Sequence, residues 1–168
     1  MARLVTPLGG GHYEVAIPGW LQEQLGHLMD QVRELVLMDD PRLARLFPPA
    51  YAQEEDADKQ EEYRRLMAGD LIEHRLATFD VIEATLGADV IDEEQLQRWM
   101  QGVNAVRLVL GTILDVSDDS GDRPSPDDPR APLHDLYELL GLLLQSLVDA
   151  ALEDGRSFSA GLNPPTEP

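Results

Sequence analysis

Asn104-Ala105-Val106-Arg107-Leu108-Val109-Leu110-Gly111-Thr112-Ile113-Leu114 decides the fold, because at about 100° per residue its apolar side chains gather on one arc. Extended backward, the arc takes in Leu96 and Val103 beside Val106, Leu110, Ile113 and Leu114, one face of a long amphipathic helix. Asp92 followed by Gln95 has the form of a capping box and starts that helix. Arg107 falls at the edge of the arc, between Met100 and Leu114. A guanidinium there needs water or a carboxylate, since a buried, unpaired charge is strongly destabilising.

Similar seams flank this helix. Leu21, Leu25, Leu28, Val32 and Leu35 repeat at spacings of four and three after Pro18, which suits a first helical turn. Asp39-Asp40-Pro41 ends that helix, Pro41 to Phe47 can form a short one, and Pro48-Pro49 forces an extended turn. A long helical segment follows from about Asp56 to Leu86, its early acids Asp56, Asp58, Glu61 and Glu62 matching the positive end of a helix dipole. A last helix carries Leu133, Leu136, Tyr137, Leu140, Leu143, Leu144, Leu147, Val148 and Ala151 on one face. Ahead of all of them, residues 3–17 alternate loosely about Gly9-Gly10-Gly11 and read as a β-hairpin.

The expected fold is therefore mainly α: a helical bundle of four long helices plus a short helix, with a small N-terminal β-hairpin. It forms a single domain over 1–153, with the hairpin at 3–17 and an acidic mobile loop at 115–132, where six aspartates and four prolines accumulate. Residues 154–168, which include Asn163-Pro164-Pro165, read as a disordered tail.

The chain has 168 residues, 32 acids against 13 bases and a formal charge of −19. Nucleic acid is not expected as a partner, because binding phosphates takes a cationic stripe, and Arg64-Arg65 sits among Glu61, Glu62 and Asp70. Anionic membrane surfaces are disfavoured for the same reason. The longest apolar run, Leu139 to Leu144, is too short to span a bilayer, and the first residues lack the apolar core of a signal peptide, so a cytoplasmic location is expected. Without cysteine there is neither a disulfide framework nor a thiolate site.

Asp70, His74, Asn104 and Arg107 are the candidate cluster. Asp70 lies at the edge of a face made by Tyr63, Met67, Leu71, His74 and Val81, and a bidentate pair with Arg107 would fix the rotation of two helices. Asn104, one turn before Arg107, could satisfy remaining acceptors. The structural reading, a helix-orienting ion pair, is preferred over a ligand site. Asp70, Glu73 and His74 have a spacing that metal bundles use, but those bundles repeat Glu-x-x-His sets on several helices, and no second set occurs here. No metal, cofactor or catalytic residue is assigned. The glycine triplet lacks a following Lys-Ser/Thr pair, so it is not read as a phosphate loop, and no nucleophile elbow, zincin motif or dinucleotide fingerprint appears.

Four blocks in order carry a family resemblance: Leu46-Phe47-Pro48-Pro49-Ala50-Tyr51, Glu62-Tyr63-Arg64-Arg65-Leu66, Asn104 to Thr112, and Leu136-Tyr137 through Gln145-Ser146-Leu147-Val148. Over about residues 3 to 152 the chain resembles the actinobacterial DUF2017 family. The resemblance implies no catalytic residues. It does imply gene neighbourhood with the Clp protease adaptor, and hence a protein partner such as that adaptor or a protease component.

Together these readings favour a non-enzymatic, cytosolic protein-interaction or regulatory module with an acidic surface, linked to Clp-type proteolysis. Two alternatives stand beside it: a small-molecule or metal-dependent enzyme built around Asp70, His74, Asn104 and Arg107, and a transcription-associated regulator. The seams of the first and fourth helical segments could also serve a homodimer.

Overall fold

The computed structural model describes residues 3–38, 57–115 and 123–161, with the side chains of 57, 60–61, 63–72 and 156–161 outside that description. Seven elements follow in order: β1 (Val5–Gly9), β2 (His12–Val15), α1 (Gly19–Leu37), α2 (Ala57–Thr85), β3 (Val90–Asp92), α3 (Glu93–Ile113) and α4 (Ala131–Gly161). The mainly α bundle with a small N-terminal hairpin is thus what the chain forms. The short helix expected over Pro41 to Phe47 lies outside the described residues, as do 116–122 of the acidic loop and 162–168 of the tail. Among the described residues no helix is long and apolar enough to cross a membrane.

The hairpin gains a third strand that the sequence reading did not contain. β1 pairs antiparallel with β2, Val5 opposite Val15 and Thr6 opposite Glu14, and β2 pairs antiparallel with β3, Tyr13 opposite Ile91. Val90-Ile91-Asp92 is too short for alternation to announce itself; its extended form is fixed by β2, reinforced by Val15 donating to the Asp89 carbonyl at 2.8 Å. Tyr13, Val15 and Ile91 point into the core while His12 and Glu14 face out, the period-two pattern of a sheet packed on one side. Gly9, Gly10 and Gly11 all have positive φ (89°, 63° and 76°), a run of left-handed conformations that only glycine takes without strain.

α3 is the centre of the bundle. Asp92 accepts from the Gln95 amide at 2.8 Å and Gln95 accepts from the Asp92 amide at 2.9 Å, the reciprocal cap expected there. Leu96, Val103, Val106, Leu110 and Leu114 are buried, but Ile113 is 41% exposed in the last turn, off the arc it was assigned to. Toward α2, Trp99 is wholly buried and donates from Nε1 to Thr85 Oγ1 at 2.7 Å, and Gly102 lets Ile82 approach. Arg33 of α1 ties that helix to α2 through Asp80 at 2.9 Å and Glu83 at 3.1 Å.

α4 carries Leu140, Leu143, Leu147 and Ala150 into the core, while Val148, assigned to the same face, is more than a third exposed. The helix runs on past Gly155 to Gly161. The hairpin grips α4 between Ser146 and Asp154. Arg3 pairs with Glu153, the Gly11 amide donates to Asp154 Oδ2 at 3.1 Å, and the Val5 amide donates to Ser146 Oγ at 3.0 Å. At the other end, Arg123 reaches back to Asp135 (2.5 Å) and Glu138 (3.9 Å), so the described part of the acidic segment is tied to the start of α4.

Candidate functional site

The four sequence candidates are not brought together among the described side chains. His74 is exposed on α2, and its Nε2 lies 3.2 Å from Arg98 Nη1. Asn104 is exposed on α3. Arg107 turns to α4: its guanidinium carbon stands 4.3 Å over the Tyr137 ring, a cation–π contact, and its Nε would lie 3.2 Å from a Cβ at Gly141. Gly141 therefore opens the seat in which the guanidinium lies flat against α4. The direction follows from helix geometry. Gly102 faces α2, and Arg107, five residues later, is rotated about 140° from it. Asp70's side chain lies outside the described residues, and with it the pair expected between Asp70 and Arg107. Among the described residues no carboxylate accepts from Arg107, and its Nε is buried without a partner.

His134, Asp135 and Glu138, at the start of α4, come close enough to share an ion. Their carboxylates already have a counter-charge in Arg123, and two of the three residues are exposed. That arrangement is a surface ion-pair network of the kind that tethers a segment to a helix.

A more developed site lies at the opposite end of the bundle. The glycine turn, the first two turns of α3 and the last described side chains of α4 enclose a cleft of about 680 Å³. Leu96, Met100 and Ala151 provide apolar walls, Gln97 an amide, and Glu93 and Asp154 carboxylates. Both carboxylates converge on Gly11. Asp154 Oδ2 accepts its amide at 3.1 Å, and Glu93 Oε2 would stand 3.7 Å from a Cβ at that position. Tyr13, 2% exposed, donates to the same Asp154 oxygen at 3.3 Å. No cation is among the described residues lining the cleft.

Electrostatics at this point have one clear consequence. Burial, then the charges of Asp154 and Glu93, push the Tyr13 hydroxyl up to about 12. The folded state therefore holds this proton to higher pH than the unfolded chain, whose tyrosine titrates near 10. The contribution is complete below pH 10 and is lost as pH rises through 12. Urea unfolding between pH 9 and about 11.5 should show an alkaline loss of at most about 2 kcal/mol from this group, absent in Tyr13→Phe. Parallel loss in both proteins would mean that Tyr13 does not face these carboxylates.

Tyr13, Glu93 and Asp154 carry no joint signal in the sequence. They lie on three elements far apart in the chain, and Asp154 was placed in the tail. The one local signal was the glycine triplet, whose positive φ angles mark a turn that something must approach closely. Glu93 and Asp154 would repel an anion at Gly11.

Residues 3–151 match the sequence profile of a family described as a domain of unknown function, DUF2017. No curated protein and no solved structure matches the chain.

Proposed function

The chain belongs to the DUF2017 family, and from that premise we propose that it acts as a non-enzymatic protein-interaction or regulatory module that holds a basic partner on an acidic surface. The observation that carries this reading is the cleft at the glycine turn, where apolar walls and two carboxylates meet without a described cation. The groups there are suited to holding rather than to proton transfer. Tyr13, with its hydroxyl pushed up to about 12, stays protonated near neutrality, and one oxygen of Asp154 is already engaged by two donors. An excess of 19 negative charges adds long-range attraction for a basic surface and raises encounter rates at low salt.

The gene neighbourhood implied by the family resemblance makes the Clp protease adaptor the first partner to try, with a link to Clp-type proteolysis as the biological setting. Calorimetric titration of the purified chain into the adaptor should give saturable binding that weakens as salt is raised. Absence of heat and of co-elution at low salt would remove the adaptor. Affinity capture from the native host, followed by reconstitution with each purified candidate, then tests the wider reading; failure to reconstitute any complex would reject it.

A further inference from the structure

Resting on that interaction reading, we infer that the cleft bounded by Gly11, Glu93 and Asp154 is the docking seat for an arginine side chain carried on a partner protein's segment. Charge complementarity is the first argument. Two carboxylates from different helices converge on one glycine, and among the described residues lining the cleft no base balances them. A cation placed at the glycine turn would gain the attraction of both carboxylates.

The walls select the kind of cation. A bare metal ion would want several oxygen ligands at short range, yet the only group of three ion-holding side chains among the described residues is His134, Asp135 and Glu138, at the far end of α4. Here the carboxylates sit beside Leu96, Met100 and Ala151 in a space of about 680 Å³, far larger than one ion needs. That combination fits a side chain with an aliphatic stem and a charged head. A guanidinium suits it better than an ammonium, because its planar fork can donate to carboxylates on two sides at once. The absence of a Cβ at Gly9, Gly10 and Gly11, each with open space or only Glu93 nearby, lets an extended backbone lie close to the turn.

The test uses the full chain and a blocked pentapeptide with a central arginine between leucines, beside the same peptide carrying citrulline. Backbone amide shifts should move saturably at Gly9 to Tyr13 and Leu96 to Met100 with the arginine peptide and stay still with citrulline. Glu93→Gln, which leaves the Asp92 cap intact, should weaken binding about tenfold. Equal binding by Glu93→Gln, no binding by the arginine peptide, or shifts centred on Glu23, Asp30 and Glu34 of α1 would overturn the inference. Markedly tighter binding by Arg156→Ala would place the chain's own arginine in the seat and overturn it too. If the peptide fails while a reconstituted partner still binds, this inference falls and the interaction reading stands; if peptide binds and no partner can be reconstituted, the reverse holds.

Discussion

Trp99→Ala is expected to lower the unfolding free energy by about 3–5 kcal/mol, the range for removing a large, wholly buried aromatic side chain. Trp99 is 0% exposed and stands where α3 meets α2, so its loss leaves a cavity at the junction the bundle is built around. Its indole N–H also donates to Thr85 Oγ1 at 2.7 Å. Thr85 itself donates back to the Val81 carbonyl at 2.7 Å, so its hydroxyl is used in both directions. Thr85→Val keeps the volume and strands the indole N–H, which should cost about 1–3 kcal/mol. Urea melts of the two single variants and the double variant check this. The double should lose less than the sum, since the stranded donor disappears with the indole; strict additivity would contradict the bond.

Gly102→Val is expected to cost about 3 kcal/mol, at the upper end of ordinary overpacking. A Cβ at Gly102 would sit 2.1 Å from Ile82 Cδ1, and Ile82 is fully buried, so the methyl has no open side to turn to. Gly102→Ala sets this clash against the better helix propensity of alanine, worth about 1 kcal/mol. The sign of the Ala step should therefore depend on Ile82. In Ile82→Val the Cδ1 is gone and the nearest remaining atoms, Thr78 Cγ2 at 3.4 Å and Ile82 Cγ1 at 3.5 Å, are at tolerable distances. There Gly102→Ala should be neutral or stabilising, while in the wild-type background it destabilises. The same ΔΔG in both backgrounds would mean that α2 and α3 do not approach closely at this glycine.

What sequence could say about these elements followed the range of the interactions. The cap at Asp92 and the buried face of α3 depend on residues three and four apart, and both were legible. On α1 the seam from Leu21 to Val32 was legible too, but it continues through Val36 rather than Leu35. Met29 is wholly buried beside Leu25 and Val32, which turns the buried arc toward the side on which Val36 lies and leaves Leu35 at its margin. β3 escaped notice because three residues have no period of their own. The direction of Arg107 depends on which neighbour each side of α3 meets, which is a property of the bundle and not of the helix. The cleft was least legible of all: Tyr13, Glu93 and Asp154 acquire a common role only when the hairpin lies against the end of α4.

A partner that docks at that junction must cover the glycine turn and the start of α3. Hydrogen exchange of the full chain with and without a saturating arginine peptide tests it most directly. Protection is predicted at Gly11 to Tyr13 and Leu96 to Met100, with no change at the exposed apolar positions Leu142, Val148 and Leu152 of α4. Protection confined to those α4 positions, with exchange at the glycine turn unaltered, would show that the partner docks elsewhere.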